Sequence, residues 1–195
     1  MENLESINDW VISENPSKNH NTHWWYDELP SKIKKMFEKI ANSPEMNSSF
    51  RKLYPSNTWI VNRIVEMDEI NLITCNNKSD SIFCKPQVDG PFGIFPLCSV
   101  FRTYIPINQN NIEIEFPTNP NKYSLDIGNI IGFDYNRKVY SIDINECKTS
   151  KDYNTVLKIH YIVGPKLLLP LVNLLKVLNI VHIKLIRNEF FKNFF

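Results

Sequence analysis

Glycine is scarce, with five in 195 residues. None of them forms a Gly-rich turn ahead of a helical stretch, which excludes a phosphate-cradling P-loop and a dinucleotide fingerprint. The cysteines, Cys75, Cys84, Cys98 and Cys147, stand at irregular spacings without a Cys-x-x-Cys pair. That excludes a zinc knuckle and predicts reduced thiols in an intracellular, reducing compartment. No Gly-x-Ser-x-Gly elbow is present and no cysteine has a nearby histidine, so the signatures of nucleophilic hydrolysis are missing. An excess of either charge is lacking too: 22 Lys and Arg stand against 21 Asp and Glu, a net +1. The chain therefore has no global attraction for nucleic acid. No unbroken apolar run reaches about 18 residues, which disfavours a membrane span. Residues 1–14 are polar and acidic with no apolar core, unlike a signal peptide.

What is present is an ordinary globular composition, 43% hydrophobic and 22% charged, enough for one domain with a sizeable core. Asparagine is abundant, with 25 copies. We read this as compositional bias, so Asn-rich stretches are weak turn signals. Residues 4–12 suit a short helix, and 13–23 read as a polar loop. His20 and His23 lie three apart, a spacing that on a helix would offer two metal ligands, but Asn-His-Asn-Thr-His has no apolar periodicity. Trp24, Trp25 and Tyr26 read as an aromatic plug on the core.

Leu29, Ile33, Met36, Phe37 and Ile40 follow helical spacing opposite Lys32, Lys34, Lys35 and Glu38. This predicts a helix over about 28–42, capped by Asp27 and ended by Asn42-Ser43-Pro44. Beyond Pro55 the period becomes two. Strands are predicted over 58–65, 71–75, 81–85, 97–107, 112–116, 123–133 (with a local bend or tight turn at Gly128-Asn129), 138–144 and 155–163, with turns or loops at 108–111, 117–122, 134–137 and 145–153. About eight short strands behind one helix predict a mainly β fold, most economically a jelly roll or double-stranded β-helix, with the helix packed outside. The domain spans 1–164, followed by a helical appendage over 165–195. That appendage is apolar and basic, with Lys166, Lys176, Lys184, Arg187 and Lys192 against Glu189 alone. Asn173, Lys176, Asn179 and His182 make a narrow polar stripe. It reads either as a helix packed on the sheet or a dimer partner, or as a basic amphipathic element on a membrane surface.

The centre of the chain is Gln87-Val88-Asp89-Gly90-Pro91-Phe92. Gln87 and Asp89 leave one face of an extended strand, the geometry in which a His-x-Asp pair grips a metal. This stretch, with Phe-Arg-Thr-Tyr at 101–104, Ile-Gly-Asn-Ile-Ile-Gly-Phe-Asp-Tyr-Asn-Arg-Lys-Val-Tyr at 127–140 and Val-Leu-Lys-Ile-His-Tyr at 156–161, resembles the aspartyl/asparaginyl β-hydroxylase-like branch of Fe(II)/2-oxoglutarate oxygenases. The likeness covers about residues 80–164. It implies a double-stranded β-helix that holds Fe(II) and 2-oxoglutarate and hydroxylates a protein or small-molecule substrate.

Carried over residue by residue, the resemblance puts Asp89 at the carboxylate ligand, Gln87 and Tyr140 at the two histidine positions, and His160 within reach of the same cavity. Lys158 and Arg102 would be the basic residues for the cosubstrate. Gln and Tyr replace imidazole poorly on Fe(II). The rival expectation is a non-catalytic jelly-roll interaction module, held to a membrane surface, a partner or a second copy through residues 166–195.

Overall fold

A computed structural model describes residues 2–16, 22–54, 57–73, 85–108, 112–144 and 154–187. His20, the segment 81–84, the turn 109–111, the loop 145–153 and the phenylalanines beyond 187 lie outside the described residues.

The chain opens with α1 (Glu2–Ser13), then β1 (Thr22–Trp25), α2 (Ser31–Ala41) and α3 (Pro44–Leu53). The strands β2 (Trp59–Arg63), β3 (Glu69–Ile73), β4 (Ser99–Pro106), β5 (Ile112–Phe116), β6 (Asn119–Ser124), β7 (Ile131–Asp134), β8 (Ser141–Ile144) and β9 (Asn154–Pro165) follow, and α4 (Leu169–Arg187) is the last helix described. Among the described residues helix takes 40% and strand 34%, so the mainly β expectation gives way to a mixed fold of antiparallel sheets and helices.

One sheet runs β1-β3-β9-β4-β7, with β2 lying on β9 beyond the end of β3. The other runs β6-β5-β8. A single bridge between Gln87 and Tyr140 adds one more crossing, just ahead of β8. The large sheet is central because β9 alternates between two cores. Leu157, Ile159, Tyr161 and Val163 face α1, α2 and α3, whereas Val156 and Ile162 face the small sheet and α4.

Helix α2 packs as its periodicity predicts. Leu29, Ile33, Phe37 and Ala41 repeat every fourth residue and are buried, while Ile40 is half-buried beside them. Its start differs from expectation: Pro30 holds the N-cap position, and Asp27 instead lies in a 3-10 turn, Tyr26–Glu28. The stop at Ser43-Pro44 is real, but the same dipeptide starts α3. Ser43 Oγ accepts from the Met46 amide at 3.3 Å, and Pro44 sits where no amide hydrogen is needed.

His23 falls on a strand, edge-on to Trp25 with ring centroids 5.4 Å apart, and not on a helix face. The polar stretch 117–122, expected as loop, is a tight turn leading into β6, with a bulge between Glu115 and Phe116. The bend expected at Gly128-Asn129 within 123–133 is present: Gly128 takes the left-handed conformation at φ 95°, and the chain on either side forms the end of β6 and β7 instead of one strand.

Helix α4 inverts its expected amphipathicity. Residues three apart on a helix step back by about 60°, so the polar stripe winds around the axis. Asn173 is exposed, His182 is half-buried and Asn179 is fully buried. Val172, Leu175, Asn179 and Ile183 meet the core, while Leu174, Val177, Val181 and Leu185 are exposed on the opposite face. Although polar residues interrupt it, Lys166–Arg187 is long and apolar enough, by length and composition, to cross a membrane.

Candidate functional site

On β4 the residues Val100, Arg102 and Tyr104 point between the sheets, as do Lys158 and His160 on β9. Antiparallel register sets Arg102 opposite His160 and Tyr104 opposite Lys158. From the other wall, the Gln87–Tyr140 bridge is closed by two backbone hydrogen bonds, 2.9 and 3.0 Å, so their side chains leave the same face. Asp89, two residues on, joins them.

The guanidinium of Arg102 stands at the centre of this arrangement. Its Nη1 donates to Asp89 Oδ2 and, at 3.1 Å, to the Tyr140 hydroxyl, and its Nε donates to His160 Nε2 at 2.9 Å. The Tyr140 hydroxyl donates in turn to Asp89 Oδ2 at 2.5 Å and lies 3.3 Å from that of Tyr104. The Tyr135 ring lies 4.8 Å from the guanidinium carbon, and its hydroxyl donates to Asn179 Oδ1 on α4. The α4 histidine His182 packs on Phe92 and reaches the Asp89 backbone. Helix α4 therefore lies over this end of the inter-sheet space.

Titration follows from burial and from these charges. Burial tends to raise the Asp89 carboxyl, but Arg102 and the Tyr140 hydroxyl outweigh it and hold it below its usual range. Burial, then the charges of Arg102 and Lys158, push the His160 imidazole well down, so it is neutral. Because Nε2 accepts from Arg102, its hydrogen is on Nδ1, which lies 3.5 Å from Asp68 Oδ1. Burial drives Tyr140 far above the ordinary phenol range and Tyr104 up to about 12. Both remain protonated.

The resemblance placed an iron ion among Gln87, Asp89, Tyr140 and His160. Asp89, Tyr140 and His160 do converge, and Gln87 shares their face. Tyr140 and His160, however, already meet the Arg102 guanidinium with the atom a metal would need, and Asp89 meets it with one of its two carboxylate oxygens. Tyr140 is also a phenol where a ligand would be a phenolate. This donor set does not fit a divalent metal while Arg102 stands among it. Lys158 is likewise engaged: its Nζ pairs with Glu69 at 3.0 Å, and both are almost fully buried. Burial alone would raise Glu69, but Lys158 and Arg102 hold it below its normal range. Arg102, expected to grip the cosubstrate, binds the ligand positions themselves.

A second cluster repeats this pattern on the outer face of the small sheet. Carboxylate oxygens of Glu113, Glu115 and Asp143 lie within 4.8 Å of one another, a spacing that would suit a cation. Lys122 supplies one: its Nζ pairs with Glu115 and lies 3.3 Å from Asp143 and 3.7 Å from Glu113.

Sequence reasoning missed the far side of the network. Asp68 is completely buried and accepts from the His160 amide at 2.7 Å and from Arg63 Nε at 2.5 Å. Burial pushes its carboxyl up to about 8, against the opposing pull of Arg63. One signal is legible in the sequence: an arginine inside the apolar strand 97–107 requires a buried acceptor. No family model matches the sequence, nor does any curated protein.

Proposed function

We propose that this protein is a non-catalytic jelly-roll interaction module, seated on an anionic membrane surface through α4. Nested strand pairing supports the jelly-roll assignment. Taken in order, the segments β3, the Gln87 bridge, β4, β5, β6, β7, β8 with Tyr140, and β9 pair first with last (β3 with β9) and second with seventh (Gln87 with Tyr140). The third pairs with the sixth (β4 with β7), and the fourth with the fifth (β5 with β6). One long hairpin wrapped into two sheets has this order, and the β4–β9 and β5–β8 pairs close it.

The observation that carries the non-catalytic reading is the position of Arg102. An oxygenase of the kind the sequence resembles needs three ligands with free lone pairs and open positions beside them. Here a permanently charged guanidinium takes the centre and α4 lies over it. The interaction surface is the outer strip of α4, where Leu174, Val177 and Val181 are 49%, 55% and 48% exposed. Between Pro165 and Arg187 all four charged residues are basic; Arg187 pairs with Asp27 and Glu28, and Lys166, Lys176 and Lys184 remain to complement anionic lipid headgroups. With its inner face packed on the core, α4 would lie in the membrane surface instead of crossing it.

The test is a titration of the purified protein with Mn(II) and 2-oxoglutarate under anaerobic conditions, followed by a succinate assay with Fe(II) and oxygen. No saturable metal binding and no succinate are expected. Stoichiometric metal binding with 2-oxoglutarate turnover would overturn the non-catalytic reading and favour a hydroxylase.

A further inference from the structure

A cleft of about 730 Å3 opens on the other face of the large sheet, between α3 and the edge strand β2. This volume suits a small-molecule ligand. It lies across β9 from the Arg102 network, and nothing in the functional reading above accounts for it. Trp59, Val61 and Arg63 alternate along β2 to form its floor. The register places Trp59 beside Pro165 and Arg63 beside Tyr161, so the floor runs roughly 13 Å from the Lys166 end to the Arg63 end.

The lining has a consistent chemistry. Arg51, Arg63 and Lys166 border the cleft, and among the described residues neither aspartate nor glutamate does. Asn57 and Asn62 add carboxamides, which both donate and accept hydrogen bonds, while Asn42 and Asn47, whose amides donate to Glu38 and to the Asn42 carbonyl, add acceptor oxygens. Tyr54 and Trp59, with ring centroids 4.8 Å apart and half-buried, form an aromatic wall. Among the described strands β2 pairs with β9 alone, which leaves its other edge open here.

Arg63 closes one end of the cleft. Its side chain is only 9% exposed, its Nε and Nη1 face Asp68 and Glu38, and its guanidinium lies 5.1 Å from both the Tyr26 and Phe37 rings. The accessible cations of the cleft are therefore Arg51 and Lys166.

From these features we infer that the cleft binds a small phosphate ester carrying a planar ring, of the mononucleotide class. The ring stacks on Trp59 and Tyr54, the carboxamides meet its polar edge and sugar hydroxyls, and Arg51 and Lys166 hold the phosphate. Two cations without a competing carboxylate explain the anion, and the aromatic wall explains the ring. Neither half alone uses the whole cleft.

The test is isothermal titration of the full chain with AMP, with adenosine and with inorganic phosphate. AMP is expected to bind saturably and at least about tenfold tighter than either fragment, the scale of one lost charge-assisted or stacking contact. Arg51 and Lys166 are exposed, so the double variant Arg51→Ala/Lys166→Ala should keep its far-UV circular dichroism and urea midpoint yet lose about tenfold or more in AMP affinity. Trp59→Leu should lose a similar factor. Absence of saturable AMP binding, equal binding of phosphate or adenosine, or undiminished AMP affinity in the folded Arg51/Lys166 variant would each overturn the assignment. The last of these stands even if Trp59→Leu fails to fold.

Discussion

Arg102 and His160 face each other across β4 and β9, and the arginine Nε donates to the imidazole Nε2 at 2.9 Å. This bond consumes the lone pair by which a histidine would bind a metal, and it joins two polar groups that burial would otherwise penalise. On the other side of the guanidinium, Asp89 supplies the countercharge. The network is thus a buried cation with its acceptors, and its energetics follow from that.

Removing the cation leaves a carboxylate, a phenol and an imidazole without their shared donor. Arg102→Ala should cost about 3–5 kcal/mol, the usual result of breaking a buried ion pair from one side. Arg102→Lys should cost less, since it keeps the charge but cannot reach all three acceptors in one plane. Urea unfolding measures both, and an alanine variant within about 1 kcal/mol of the parent would contradict the central role of Arg102.

The same geometry changes what is needed to build a metal site. Replacing the two non-histidine positions, Gln87→His with Tyr140→His, leaves the guanidinium where the ion would go, so no Mn(II) binding is expected. Adding Arg102→Ala should create it, read by electron paramagnetic resonance on protein whose circular dichroism shows it folded. Metal binding by the two-site variant would mean that Arg102 moves aside more easily than its contacts imply.

Stability should depend on pH in three distinct ranges. Asp68 has its carboxyl at about 8 when folded against about 3.9 unfolded, so the folded state binds an extra proton between these values. Its contribution is complete below the unfolded value and is lost as pH rises toward 8. The His160 imidazole is depressed when folded, so its contribution is present above about 6.5 and is lost as pH falls below it. From pH 8 to about 6.5 stability should therefore rise with acidification, by at most about 1.4 kcal/mol per pH unit. Below 6.5 the Asp68 term is opposed by His160 and by His182, which burial also depresses, and the rise ends. Under about pH 4 it falls, because Asp89, Glu69 and Glu38 are all held below their usual ranges and must be protonated. Asp68→Asn should abolish the alkaline arm in urea titrations and leave the acid arm.

Local pattern was enough for α2, for the β5 alternation and for the faces of β9, because each depends on spacing within one segment. Helix α3 was hidden because Ser43-Pro44 is equally suited to ending one helix and capping the next. Strand β6 was hidden because Pro117, Asn119 and Pro120 suggest a loop, and a bulge carries the chain through them. The site was half legible. Asp89, Tyr140 and His160 could be picked out singly by residue type and resemblance. What they surround depends on register across two sheets, since Arg102 meets them over 13, 38 and 58 residues of sequence. No local spacing encodes that.

Seating of α4 on the core depends on Gly164 at the end of β9. A Cβ there would stand 2.5 Å from Val172 Cγ2 and 3.1 Å from Cys98 Sγ. Gly164→Ala should force the helix and β4 apart and cost about 1–3 kcal/mol, the range for overpacking a close contact. Hydrogen exchange should show the loss of protection concentrated in α4. A uniform decrease would indicate general destabilisation instead.

The outer face of α4 should decide where the protein resides. Val177 and Val181 occupy the centre of the exposed strip, so Val177→Asp/Val181→Asp removes apolar area and adds negative charge without touching the core-facing Val172, Leu175 or Ile183. Lys176→Glu/Lys184→Glu reverses two charges and leaves the apolar strip intact. Vesicles containing phosphatidylserine should sediment the parent protein, and neutral phosphatidylcholine vesicles should do so far less, since each lysine near an anionic surface contributes about 1 kcal/mol. Both variants should remain in the supernatant with phosphatidylserine vesicles. If only the aspartate pair fails to bind, the attraction is apolar and charge is incidental. If the parent sediments with neither vesicle but migrates as a dimer that the aspartate pair dissociates, the strip is an interface between two copies, and the membrane assignment is wrong.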